Sequence, residues 1–173
     1  VSLSTYRQLF QKWWPGAGLT VLAQDLGIIQ QAVEHPAPTA GARVACSTNT
    51  SIATTSDVDI TGATTTFTPN VDMSIMVWAT FEPVCSVFGA VTHAFSGALV
   101  VNGTAQDGRI ETTVRSVDDA RSLSGSWIVE LKSGTAYTVK LVAKTSNAGT
   151  NFNVLSVNTW FTYASFPNLF VVP

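Results

Sequence analysis

Starting at Val71, every second residue up to Phe81 is apolar: Val71, Met73, Ile75, Val77, Ala79 and Phe81 alternate with Asp72, Ser74, Met76, Trp78, Thr80 and Glu82. Successive side chains of an extended chain point to opposite faces, so this spacing buries one face as a strand and none as a helix. A lone strand has nowhere to bury that face. The chain therefore has to supply partner strands and a second layer.

Suitable partners recur from Gly41 onward. Period-two or apolar runs predict strands over Arg43 to Thr48, Val87 to Ala94, Ala98 to Asn102, Arg109 to Val114, Trp127 to Leu131, Tyr137 to Ala143 and Leu155 to Tyr163. Turn signals separate several of them: Asn102-Gly103, Asp107-Gly108, Ser133-Gly134 and Asn147-Ala148-Gly149. Many short strands with regular turns predict an antiparallel sandwich or jelly roll over residues 41–173.

Residues 1–40 read differently. Thr5-Tyr6-Arg7-Gln8 fits a helix capping box, and Tyr6, Leu9, Phe10 and Trp13 then fall on one face, with Trp14 beside it. This short aromatic helix is expected to pack on its own head or sister subunits, or to anchor the chain in a larger particle. From Leu19 the apolar spacing is 3, 4, 3, 4 through Leu22, Leu26, Ile29 and Val33, a heptad seam. It predicts a short oligomeric coiled coil, or an amphipathic helix lying on the head. His35-Pro36-Ala37-Pro38 ends that helix and forms a stiff linker. The fold class is therefore a mainly β, antiparallel jelly-roll head preceded by short N-terminal α-helices.

Composition bears on partners. Only 12% of the 173 residues are charged, against roughly 25% in typical soluble domains. A surface so poor in Lys and Glu is weakly protected against association, so burial against other subunits is expected. The net charge is −2 and no Lys/Arg cluster exists, which offers no footprint for nucleic acid or anionic lipid. Ser86 to Gln106 and Thr145 to Pro173 lack Asp, Glu, Lys and Arg, but Gly, Asn, Ser and Thr interrupt both. They read as strands and turns, and no membrane insertion is expected. No secretory leader is read in the first residues.

A resemblance enters with Trp127 to Ala143, where a strand ends in Leu131-Lys-Ser-Gly134 and the next carries Tyr137, Val139 and Leu141. This resembles a hairpin of C1q/TNF-like jelly rolls. Thr159-Trp-Phe-Thr-Tyr163 is similar to their closing strand near the threefold axis, and Ala98 to Thr104 to their central hairpin with Asn-Gly. Arg43 to Thr48 with Ser51-Ile52 looks like the first strand of such heads in bacteriophage tail and capsid-surface proteins. The resemblance implies a homotrimer, with Trp160, Phe161 and Tyr163 at its contact. It also implies a virion protein, either a capsid decoration, fibre or tail-tip component. Its partners would be other capsid or tail proteins, with a host-surface glycan as candidate ligand. The expected location is the virion surface, extracellular as part of the particle. Asn102 to Gly108 and Ser116 to Ser126 would be exposed tips. A soluble C1q/TNF-like binding module outside any virion is the alternative.

The chemistry-bearing residues are few. His35 and His93 are the only histidines, and no phosphate loop, nucleophile elbow or zinc spacing occurs. Neither catalysis nor a cofactor is expected. Asp57-Val-Asp59-Ile-Thr61-Gly62 matches the first half of a calcium loop, but position 12 is Thr68 rather than Glu; the other reading is an Asx-type turn. Asp118-Asp119, between Arg115 and Arg121, suits local ion pairing, and a carbohydrate-active enzyme using this pair is the remaining catalytic reading. Cys46 and Cys85 fall at core parity, as two buried thiols or as a disulfide. Asn49-Thr-Ser51 and Asn102-Gly-Thr104 are formal glycosylation sequences.

Overall fold

The computed structural model describes residue 41, residues 43–89 and residues 93–167. The expected aromatic helix (Tyr6, Leu9, Phe10, Trp13, Trp14) and heptad seam (Leu19, Leu22, Leu26, Ile29, Val33) lie outside the described residues. Among the described residues every element is a strand, and no helix long and apolar enough to cross a membrane is present.

The strands are β1 (Val44–Ala45), β2 (Thr50–Ile52), β3 (Val58–Phe67), β4 (Met73–Phe81), β5 (Pro83–Val87), β6 (His93–Val101), β7 (Thr104–Ala105), β8 (Ile110–Val114), β9 (Leu123–Leu131), β10 (Tyr137–Thr145), β11 (Asn151–Val154) and β12 (Trp160–Pro167). One sheet runs β1-β12-β4-β9. A second runs β3-β10-β6-β7, with β8 also on β6. A small third sheet runs β2-β11-β5. The antiparallel pairs β1–β12, β3–β10, β4–β9 and β6–β8 are nested in sequence, the winding of a jelly roll.

The alternation of β4 fulfils its promise. Ile75, Val77, Ala79 and Phe81 are buried between the sheets, facing Phe95, Leu99, Leu141 and Ala143 of the second sheet. Phe95 sits edge-on to Phe81 at 5.9 Å and to Phe152 of the small sheet at 5.5 Å. Gly97 is small because Phe81 lies over it: an added Cβ would meet the ring at 2.8 Å.

Several expectations need correction. The Asp57 to Gly62 stretch is neither a calcium loop nor a turn, because Val58 to Gly62 belong to the ten-residue strand β3. Asp57 pairs with Arg109 at 2.6 Å and Asp59 with Lys140 at 2.7 Å. The strand escaped notice because its pairing with β10 shifts register between Lys140 and Val142, beside Gly62 at φ 83°. That bulge sets the buried residues Ile60 and Ala63 three apart and erases period two.

The run Val87 to Ala94 is not one strand; β5 ends at Val87 and β6 begins at His93. Leu155 to Thr159 is a connection, not part of a strand, and Val157 in it is 73% exposed. Trp127–Leu131 and Tyr137–Ala143 do not form a hairpin. They belong to β9 and β10, in different sheets, so Leu131-Lys-Ser-Gly134 opens an arch between layers.

The arch is tied down by Asp72. Its carboxylate accepts from Ser133 N at 2.8 Å and from Lys132 Nζ at 2.9 Å. The Ser133 N–H, then the Lys132 ammonium, hold the Asp72 carboxyl below its ordinary value of 3.8. A carboxyl lowered by folding stabilises the fold above its unfolded value, and that contribution is lost as pH falls through the folded one. Acidification below about pH 4 is therefore expected to lower the urea midpoint of the native sequence more than that of Asp72→Asn. Parallel losses in both proteins would show that this carboxylate is not coupled to folding.

Candidate assembly face

The two ends of the sandwich differ. Phe67, Met73, Leu131, Tyr137 and Pro167 mark one end through their pairings; Phe81, Leu123, Trp160 and Thr145 mark the other. From Gly41, whose N donates to Tyr163 O at 2.6 Å, to Ala45 opposite Trp160, the described chain runs toward the second end. The two expected tips therefore separate. The Asn102-Gly103 turn is at the first end, and the loop from Arg115 to Ser122 is at the opposite end. Leu123 to Ser126 are strand, not tip.

Outward side chains of the four-stranded sheet align in rows. Trp160 neighbours Thr80 and then Ser124; Thr162 neighbours Trp78 and Ser126; Ala164 neighbours Met76 and Ile128. Trp78 is 39% exposed and Ile128 is 68% exposed. At one edge the Arg43 guanidinium lies 4.7 Å from the Trp160 ring centroid. Glu130 contributes the one carboxylate of β4, β9 and β12 on this side.

The ion pairs gather elsewhere. Arg109–Asp57 and Lys140–Asp59 cross the second sheet, and Lys132–Asp72 and Arg121–Asp119 sit in connections. The arrangement leaves one charge-poor face on which Trp160, Trp78, Met76, Ala164 and Ile128 sit among Ser and Thr, and exposed apolar side chains grouped in this way mark a surface suited to burial against another.

The expected trimer residues divide by strand parity. Trp160 points outward onto this face and is half-buried. Phe161 points the other way and is fully buried in the head's own core. Tyr163 also faces inward, stacked on Phe67 at 5.5 Å. The residues that sequence reasoning passed over are Met76, Trp78 and Ile128. A signal was available, since the alternation that sends Val77 inward sends Trp78 outward.

Other chemistry is sparse. Among the described residues no group of three or more His, Cys, Asp and Glu could hold a metal ion. Cys46 and Cys85 are free buried thiols, and burial pushes the Cys85 thiol up, away from the reactive thiolate. Asp119 accepts from Arg121 and from Arg115 N, and the Arg121 hydrogen bond holds its carboxyl low. A general acid for glycoside cleavage needs the opposite shift.

No family model and no curated protein matches this chain. Solved structures do. Eiger TNF from S. frugiperda superposes with a TM-score of 0.50 at 10% identity, over 79% of this chain and 98% of that one. The head has a TNF-like jelly-roll fold. Murine APRIL at pH 5.0 follows with a TM-score of 0.46 at 12% identity, over 75% of this chain and 99% of that one. A family 35 carbohydrate binding module from an environmental isolate reaches 0.33 at 15% identity, over 67% and 69% of the two chains. At such identities the likeness speaks of fold alone. The TNF-like comparison agrees with the nested strand pairs and with the antiparallel β head expected from the sequence.

Proposed function

We propose that this chain is a non-catalytic module that trimerises through the outer face of its four-stranded sheet and forms a surface projection of a bacteriophage virion. It would serve as a capsid decoration, fibre or tail-tip protein. The carrying observation is the charge-poor face bearing Met76, Trp78, Ile128 and Trp160 on a TNF-like head. Its support for the virion setting is the sequence resemblance to phage surface heads and a charged fraction of 12%. Residues 1–40 would bind capsid or tail proteins, and the Arg115 to Ser122 end would face outward, toward a host-surface glycan.

Sedimentation of the full chain is expected to give three times its 18.4 kDa mass, and a stable monomer would remove the trimer. Purified particles are expected to contain the chain. Finding it free and absent from particles would favour the second reading, a soluble C1q/TNF-like binding module. That reading draws on the fold match to a TNF protein and on the two exposed sequons at Asn49 and Asn102.

A further inference from the structure

Asn102 combines three features. It precedes Gly103, it adopts a left-handed φ of 49°, and Gly103 follows at φ 82°. These are the angles of a two-residue turn of the Asn-Gly kind. Its side chain is also committed at both ends. Nδ2 donates to Ala136 O at 3.2 Å, and Oδ1 accepts from Thr138 N at 2.7 Å. The Asn102 N–H itself donates to Thr138 O at 2.9 Å. The amide thus locks the β6–β7 turn to the arch residues leading into β10.

An exposed Asn-Gly pair is chemically fragile. The Gly nitrogen attacks the side-chain carbonyl carbon, ammonia leaves, and water opens the resulting succinimide to Asp or isoaspartate. That attack needs the amide to swing onto the following nitrogen. Here the amide is aimed across to β10 and held there by two hydrogen bonds.

We infer that Asn102 is a fold-protected deamidation site. The native head suppresses the reaction, and opening of the Asn102 turn permits it and makes the opening irreversible. In isoaspartate the main chain runs through the former side-chain carbon and the turn itself is lost; in Asp, one carboxylate oxygen still accepts from Thr138 N. The other faces the Ala136 carbonyl with no proton to donate, so the lock cannot re-form. Chemical modification of an opened state is a recognised route from reversible to irreversible unfolding.

The test follows the mass gain of the peptide containing Asn102 in the full chain at mildly alkaline pH, folded and urea-unfolded. Deamidation is expected to be at least about tenfold slower in the folded chain, the factor two such hydrogen bonds supply. Equal rates would overturn the protection. Asn102→Asp, made directly, is expected to unfold at lower urea than the native sequence. A midpoint unchanged from the native one would overturn the loss of the lock.

Discussion

Replacing Phe161 with alanine is expected to destabilise the head by about 3–5 kcal/mol, the usual loss for a large aromatic removed from a packed core. Phe161 is fully buried within one chain, in the same cluster as Ile75, Phe81 and Phe95. Its contribution belongs to the fold of each subunit. The urea midpoint should therefore fall by the same amount at any protein concentration. A loss that grows on dilution would instead place Phe161 at a contact between subunits, because only association depends on concentration. The neighbouring Trp160→Ala provides the contrast, since that ring lies outside the core with Arg43 over it.

The second large effect concerns assembly. Trp78→Lys combined with Ile128→Lys places two ammonium groups on the charge-poor face, in positions 39% and 68% exposed in the single chain. An exposed lysine on a strand costs the isolated head little. Buried against a copy, an unpaired charge costs several kcal/mol, so association should weaken by at least about a hundredfold. The expected outcome is a folded monomer in sedimentation, with an unchanged far-ultraviolet spectrum. Trimers that persist with both lysines in place would rule this face out as the interface. The same substitutions on the opposite sheet, at Thr64 and Thr66, should leave association intact, since these positions are already polar and at least partly exposed.

The pattern of legible and illegible features has a physical basis. Strands with one buried face announced themselves: β4 and β9 carry apolar alternation and their buried residues are the inward ones, while β10 alternates too but also buries the outward Val142 against Ala98 and Val100. Strand β3 stayed hidden because a bulge changes which face each residue meets partway along. The Leu155 to Tyr163 stretch misled in the other direction. Val157 continues an apolar rhythm through a connection where the chain leaves the small sheet for the four-stranded one. Rhythm records which side chains are apolar, not whether the backbone has turned.

The candidate face shows the same division. The sequence singled out the closing aromatic strand, and one of its three chosen residues, Trp160, lies on the outer face. Phe161 and Tyr163 lie on the inner side, as period two requires once the inward set is known. Met76 and Trp78 were visible as the outward set of the strongest strand. They gained meaning only when β9 and β12 laid Ile128 and Ala164 beside them.

By itself, the sequence determined that the head would be antiparallel β, that β4 would line a core, and that Cys46 and Cys85 would fall inside it. Those outcomes follow from local periodicity, which each segment carries alone. Only the tertiary structure decided that Leu131-Lys-Ser-Gly134 is an arch between layers and that Asp57 and Asp59 neutralise cations. It also decided that Asn102 is locked to β10 and that the two expected tips lie at opposite ends. These depend on which strands become neighbours, and pairing between segments distant in sequence leaves no mark on the spacing within either one.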